Sequence, residues 1–246
     1  MHFNYTTLFA DSFHRADENP VNPLWWTANN NEQPCQILSD ELVCNVAADK
    51  ESTARNIVIT WPANQWCELQ IDVLHGGASY PNSGVVLVGR AFNSTGYAFA
   101  IGGPLGQNPP TDSYFQLYSL INGSLGTLFD SESYTFNVGD KIRVECFEDQ
   151  ISFLVNDTKL GTYADSSIAS GAPDIALYYD VGVTDTQVSN FRGGSITQSS
   201  GIFVDQWGSQ GERIFLDTTG KTQNLSAPFP SSNNSSQRWM IQQPKF

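Results

Sequence analysis

The chain has 246 residues, enough to bury a sizeable core as a single all-β domain. It carries 12 Lys and Arg residues against 25 Asp and Glu, a formal net charge of −13, and such a surface repels nucleic-acid phosphates and anionic membranes. No window approaches the roughly 18 apolar residues of a membrane span, so we predict neither nucleic-acid binding nor membrane insertion.

Short β-strands separated by turn residues account for the first half of the chain. The first strand begins in residues 8–13, and the prolines that follow exclude a helix before Trp25 and Trp26. Adjacent residues of an extended chain point to opposite sides, so at least one of these tryptophans is predicted to lie in the core. Further strands are predicted at 35–46 (two strands about the turn Ser39-Asp40), 53–61, 66–74, 84–91 and 96–101.

The second half contains the clearest hairpins. Asn122-Gly123 joins two apolar runs, the strongest short-range signal for a hairpin. Residues 136–160 predict a second hairpin, because apolar and polar residues alternate on both sides of a polar turn. Its apolar side is predicted to be core and comprises Ile142, Val144, Cys146, Ile151, Phe153 and Val155. Strands at 174–179 and 186–192 complete the series.

The strand pattern predicts the domain organisation. About a dozen short strands and no amphipathic helical stretch indicate two packed antiparallel sheets. The small-residue run at 193–201 is typical of a linker. We therefore predict a β-sandwich at residues 1–194 and a linker with a C-terminal arm at 195–246. The arm is too short to build its own core and is expected to dock on the domain or on a neighbouring subunit.

Two features bear on the cellular compartment. The first residues show no basic region followed by an apolar one, so no Sec-type signal peptide is predicted. The four cysteines, Cys35, Cys44, Cys67 and Cys146, permit two disulfides in three pairings, or four buried free thiols. Both alternatives stay open, and the absence of CxxC spacing and of clustered His argues against zinc.

Two stretches resemble a known family. Residues 11–26, DSFHRADENPVNPLWW, resemble the D-x-F-x-R-A-D-x-x-L-x-x-x-W opening of concanavalin A-like (laminin-G-like, jelly-roll) domains, which occur in bacterial secreted proteins and in tailed-phage tail and virion proteins. The stretch VGDKIRVECFEDQISFLVNDTKLGTYADSS resembles the later half of that fold, although Asn156-Asp157 replaces the usual Asn-Gly. The resemblance covers residues from about 8 to 194.

This resemblance implies an all-β fold, a two-sheet antiparallel jelly-roll sandwich with a C-terminal extension. A structural Ca²⁺ occurs in the superfamily, and the candidate oxygen ligands here are Asp11 and Asp185. No other cofactor is predicted.

A catalytic site is not predicted. In the hydrolase branch of the superfamily the acidic residues come from one strand, and the nearest counterpart here is Glu68 with Asp72. They face one side of a strand, but at about 3.3 Å per residue their Cα atoms stand roughly 13 Å apart, too far for the carboxylate pair of a retaining glycosidase. We predict two solvent-facing carboxylates alternating with core Leu69 and Ile71. The Gln-x-His strand of the alginate-lyase branch is absent, and His75 is predicted to lie in a loop.

Exposed loops supply candidate glycan-binding residues, because a sugar needs an aromatic ring to stack on and polar groups to bind its hydroxyls. The candidates are Tyr80, Asn82, Asn108, Asp112 and Tyr114. We predict a non-catalytic structural or adhesive protein on the surface of a tailed-phage virion, as decoration, fibre or tail module. Its partners would be other virion proteins or a second copy, through the arm, and cell-surface glycans. The alternatives are a secreted, extracellular carbohydrate-binding module and a polysaccharide-active glycoside hydrolase or lyase.

Overall fold

The structure, a computed structural model, describes residues 2–28, 33–45, 50–74, 84–102, 114–179 and 186–199, together with 206–207, 213–216 and 222–225. The chain divides into two compact units, Phe3–Gln198 and Met1–His2 with Ser199–Phe246. In chain order the described strands are β1 (His2–Asp11), β2 (Trp26–Thr27), β3 (Gln33–Pro34), β4 (Gln36–Leu38), β5 (Glu41–Val43), β6 (Lys50–Asn56), β7 (Gln65–Val73), β8 (Val85–Phe92), β9 (Thr95–Gly102), β10 (Tyr114–Ile121), β11 (Ser124–Ser133), β12 (Lys141–Phe147), β13 (Gln150–Val155), β14 (Thr158–Ala164), β15 (Ala172–Tyr179), β16 (Gln187–Ser199), β17 (Gln206–Trp207), β18 (Arg213–Leu216) and β19 (Thr222–Leu225).

Two sheets build the larger unit. Sheet A has the order β14-β13-β12-β7-β16-β5-β4, and β1 also pairs with β16. Sheet B has the order β11-β10-β9-β8-β15-β6-β2, and β3 also pairs with β6. Neighbouring strands along both orders are antiparallel, whereas β3 and β6 are parallel. The predicted two-sheet antiparallel architecture is confirmed.

The hairpin turns have the backbone geometry that their residues favour. Asn122 and Gly123 have φ values of 52° and 77°, as a type I′ turn requires at both central positions. Asn156 and Asp157 have φ values of 50° and 63°, because short polar side chains tolerate the left-handed region. Replacing the usual Asn-Gly therefore leaves the connection from β13 to β14 intact.

One core of buried apolar side chains fills the space between the sheets. The second predicted hairpin contributes all six of its expected core residues, each at most 1% exposed. Trp26 is 1% exposed and belongs to this core, whereas Trp25 is 38% exposed, as expected for neighbours in an extended segment. Each large apolar side chain buried in this way contributes roughly 1.5–3 kcal/mol.

The four cysteines are buried, and none of them forms a disulfide in this structure. Burial raises the pKa of Cys146 to about 12, and burial together with the nearby Cys146 raises the pKa of Cys67 well above its ordinary value. Thiols held neutral in this way behave as small core residues and are poor nucleophiles.

Strand β16 extends beyond the domain boundary that composition suggested. It runs through Gly193 and Gly194 to Ser199, where the small-residue composition predicts the start of a linker. A Cβ on Gly194 would overlap the carbonyl of Thr6 in β1, and one on Gly193 would lie 2.8 Å from the carbonyl oxygen of Trp66. These glycines therefore mark a close approach of backbones within a strand and not a flexible connection.

The smaller unit contains a three-stranded antiparallel sheet, β17-β18-β19. Residues 202–207 and 213–216 are short strand candidates in the sequence; β18 occupies the second of them and β17 the end of the first. Strand β19 was not predicted, because its residues Thr-Gln-Asn-Leu lack apolar alternation. Within the described part of the chain, no helix has the length and apolar character needed to cross a bilayer.

Candidate functional site

Polar and aromatic side chains line the outer face of sheet A, the face turned away from the core. On β7 the core-facing residues Cys67, Leu69 and Ile71 alternate with Trp66 and Glu68. The cross-strand neighbours of Glu68 are Arg143 on β12 and Arg192 on β16. Directly opposed residues share a face of a sheet, so three strands bring these side chains together.

Glu68 is held between two arginines. Its Oε2 accepts hydrogen bonds from Arg143 Nε at 2.8 Å and a terminal nitrogen at 2.5 Å, and its Oε1 accepts one from Arg192 Nε at 2.7 Å. Burial lowers the pKa of Arg143, but the Glu68 carboxylate outweighs it and the net pKa is raised. The side chain of Glu68 is only 3% exposed. The prediction of a solvent-facing carboxylate is wrong for Glu68, because both cross-strand partners are cations.

Trp66 lies beneath the same two arginines. The guanidinium carbons of Arg143 and Arg192 stand 5.4 and 5.6 Å from the centre of the indole ring, within the range of cation–π attraction. Tyr5 meets the ring edge-on at 6.2 Å between centroids. Trp66 is therefore buried, at 4% exposure, and does not offer an open stacking platform.

A cleft of about 130 Å³ opens beside this cluster on the same face. Strands β1, β12, β13, β14 and β16 supply its lining, which is Phe3, Tyr5, Glu145, Phe147, Gln150, Ser152, Lys159, Thr162 and Ile196. The lining combines three aromatic rings with a carboxylate, an amide, two aliphatic hydroxyls and one ammonium group.

The carboxylate of the cleft is almost entirely buried. Glu145 is 7% exposed and its Oε1 lies 3.5 Å from Arg143. Burial, together with Glu145, raises the pKa of Tyr5 to about 12, so the phenol stays protonated and donates a hydrogen bond to the Glu145 carboxylate. Phe3 packs on Phe147 with ring centroids 4.9 Å apart. The cleft thus has an aromatic wall beside an acceptor fixed in place.

The other carboxylate of β7 has a different environment. Asp72 sits at a bulge, since Val188 pairs with Ile71 and the preceding Gln187 pairs with Val73. Gln70 donates to Asp72 Oδ1 at 2.8 Å, whereas Asp72 Oδ2 is buried without a hydrogen-bond partner among the described residues. Glu41 Oε2 is in the same condition. Burial and the charge of Asp72 raise the pKa of Glu41, and His14 opposes the shift.

The outer face of sheet B has a contrasting character. A small apolar cluster covers it, made of Val88, Ala91, Ala98, Ala100 and Tyr118 with Val86 and Leu120 beside them. A cleft of about 70 Å³ on this face has one aromatic ring, Tyr118, and one carboxylate, Asp174, among mostly small and apolar side chains. The cleft on sheet A is larger and has three aromatic rings with both a carboxylate and an ammonium group, so we take sheet A as the candidate site.

The fold is shared with several solved structures. A Bacillus subtilis protein of unknown function with a galectin-like fold superposes with a TM-score of 0.53 at 8% identity, covering 80% of this chain and 100% of that one. The Crh5 transglycosylase in complex with NAG gives 0.52 at 10% identity, covering 79% and 88%. SCLam, a non-specific endo-β-1,3(4)-glucanase from family GH16, gives 0.51 at 10% identity, covering 80% and 93%.

The domain is a concanavalin A-like jelly-roll sandwich. At these identities the likeness establishes the fold of the jelly roll and does not transfer a site. No protein-family model matches the sequence, and no curated protein matches it.

The structure does not describe the side chains of the glycan-binding residues that the sequence predicts. Tyr80, Asn82, Asn108 and Asp112 lie outside the described residues, and Tyr114 opens β10, where only its backbone is described. These assignments stay predictions. What the jelly roll brings together instead is a set of strand residues from five parts of the sequence. The alternation of each strand predicts which face they take, but cross-strand register is not visible in one sequence.

Of the two proposed calcium ligands, Asp185 lies outside the described residues. Asp11 Oδ1 accepts hydrogen bonds from the Phe13 amide at 2.9 Å and from Arg15 at 2.5 Å, and Oδ2 accepts one from Trp26 Nε1 at 3.0 Å. These donors, one of them cationic, do not fit a calcium ligand. Among the residues that the structure describes, no group of three or more His, Cys, Asp and Glu side chains is arranged to hold a metal.

Proposed function

We propose that this jelly roll is a non-catalytic glycan-binding module whose binding surface is the cleft on the outer face of sheet A. The observation that carries the proposal is the lining of the cleft. Phe3 and Phe147 supply an aromatic surface for the apolar face of a sugar, and Glu145, Gln150 and Ser152 supply hydrogen-bonding groups for its hydroxyls. Aromatic rings with a few fixed polar groups are typical of small-molecule sites.

The state of the carboxylates supports binding over hydrolysis. A retaining glycosidase needs two carboxyl groups about 5–5.5 Å apart, one protonated and one ionised. Glu68 has both oxygens engaged by arginines, and Glu145 faces Arg143 and Tyr5. Both carboxylates are therefore engaged by partners within the protein.

A glycoside hydrolase is the second candidate, because SCLam and Crh5, two neighbours in fold, are a glucanase and a transglycosylase. The discriminating assay is release of reducing ends from polysaccharides by the purified chain. Cleavage that disappears in a correctly folded Glu68→Gln variant would favour the hydrolase.

The test of binding is a glycan array with a matched pair of variants. We expect Phe147→Ala to weaken binding at least about tenfold, because it removes one wall of the cleft. Phe92→Ala is the control, since Phe92 is a 61% exposed ring at the end of β8 in sheet B. Equal losses in both variants, or no glycan bound by the wild type, would refute the proposed function.

The setting we propose for the module is the surface of a tailed-phage virion, with an extracellular, secreted module as the alternative. The support is the sequence resemblance of residues 11–26 and 138–167 and the acidic composition. Contacts of residues 195–246 with virion proteins or with a second copy belong to the same proposal. Mass spectrometry of purified particles tests it, and absence of the chain from them would refute the virion setting without affecting glycan binding.

A further inference from the structure

We infer that the cleft on sheet A selects a sugar residue carrying a protonated amine, such as a hexosamine whose nitrogen is not acetylated. This inference rests on the proposed function and names the class of glycan for the same site. It is carried by the buried acid and the aromatic rings that line one small cleft.

The buried acid is Glu145. At 7% exposure its charge is poorly hydrated, so a cationic group entering the cleft gains more from it than from an exposed carboxylate. Its contact with Arg143 is long, at 3.5 Å, and that arginine is shared with Glu68 at 2.5 Å and with Asp157 at 2.5 Å. Because three carboxylates share Arg143, this arginine neutralises Glu145 only in part, although the formal charges of this part of the face balance once Arg192 and Lys159 are counted.

The aromatic lining favours the same ligand. Rings of Phe3, Tyr5 and Phe147 border the cleft together with Glu145. Aromatic faces attract ammonium groups, and the attraction grows when the cation is partly desolvated. The protein already uses this interaction next to the cleft, where the Arg143 guanidinium lies 6.0 Å from the centre of the Tyr5 ring.

The size of the cleft and the charge of the chain complete the inference. A volume of about 130 Å³ is below that of ordinary ligand pockets, roughly 300–1,000 Å³, which suits one sugar residue better than a long chain. The formal net charge of −13 attracts cationic glycans and repels uronates and sialylated chains. Lys159 is the one ammonium group in the lining, and it is exposed on the edge strand β14.

The experiment compares three methyl glycosides that differ only at carbon 2: methyl glucosaminide, methyl N-acetylglucosaminide and methyl glucoside. Titration of ¹⁵N-labelled full-length chain followed by NMR reports both affinity and place. We expect the glucosaminide to bind about tenfold more tightly than the other two, to shift the amides of Glu145 and Ser152, and to lose its advantage at a pH where the amine is neutral.

Two variants that each remove one charge are expected to have opposite effects on glucosaminide binding. Glu145→Gln should abolish the preference for the glucosaminide, whereas Lys159→Gln should strengthen its binding a few-fold by removing a like charge. Because Lys159 is exposed, the second variant tests the inference even if the first unfolds. Equal or tighter binding of the uncharged glycosides, or weaker glucosaminide binding in Lys159→Gln, would overturn the amine preference and leave glycan binding standing. Failure of every glycan on the array would overturn both.

Discussion

Strand β7 carries two carboxylates on the outer face of sheet A, and their surroundings are opposite. Glu68 lies between Arg143 and Arg192 and has both oxygens hydrogen-bonded. Asp72, four residues along the same strand, is near the carboxylate of Glu41, and each of these two has one buried oxygen without a partner among the described residues. A carboxylate on this face of β7 therefore stabilises the fold at Glu68 but is incompletely hydrogen-bonded at Asp72. Alternation decides the face, whereas the neighbouring strands decide the charge environment.

The largest effect on stability is expected at Glu68, the carboxylate that is paired with two arginines. Glu68→Gln removes the buried negative charge that pairs with Arg143 and Arg192. We expect the free energy of unfolding to fall by about 3 kcal/mol, because the arginines lose their partner. Urea denaturation measures it, with Asp149→Asn as the control because Asp149 is exposed and should change stability by less than about 0.5 kcal/mol. Equal losses in the two variants would show that the arginine cluster does not stabilise the fold.

A smaller loss is expected from removing one arginine of the pair. Arg192→Met leaves Glu68 bound to Arg143, and the side chain of Arg192 is already 44% exposed, so a loss of about 1 kcal/mol is expected. Lys141→Met, an exposed cation on β12, is the matched control. A loss as large as that of Glu68→Gln would contradict the view that Arg143 is the main partner.

At Glu41, near Asp72, removing a negative charge is expected to raise stability instead of lowering it. Folding raises the pKa of Glu41. The stability that this group contributes is therefore fully present below its ordinary pKa and is lost as pH rises through the higher pKa of the folded protein. Glu41→Gln should therefore raise the unfolding free energy at neutral pH, by about 0.5 kcal/mol, and change little in acid. Chemical denaturation at both pH values checks this, and a variant less stable than wild type at neutral pH would disprove it.

The smallest expected effect is spectroscopic. Burial and Glu145 raise the pKa of Tyr5 to about 12, so any stability that this phenol contributes is constant below its ordinary pKa of 10 and is lost as pH rises toward 12. Ultraviolet titration of wild type minus Tyr5→Phe should show one tyrosine ionising near 12. A difference curve centred at the ordinary value would show that Tyr5 and Glu145 are not in contact.

Much of the fold could be predicted from the sequence, because the signals are local. Alternation placed Ile142, Val144 and Phe153 in the core, and Asn122-Gly123 identified its hairpin. The pairing of Glu68 with Arg143 and Arg192 could not be predicted, since 75 and 124 residues separate the partners. The role of Gly193 and Gly194 could not be predicted for the same reason, because the backbone atoms that require them, at Trp66 in β7 and Thr6 in β1, are distant in sequence. The candidate site could not be predicted either, because its residues lie on strands that only the cross-strand register brings together.

The position of β16 also sets the order in which a growing chain can fold. This last strand of the sandwich lies between β7 and β5 and also pairs with β1. A nascent chain released as far as Tyr179 contains every strand of sheet B, yet sheet A exists only as separate groups of strands with unpaired edges. Ribosome-bound or truncated chains that stop before Gln187 should therefore expose the edges of β7 and β5 and aggregate, and extension through Ser199 should restore solubility.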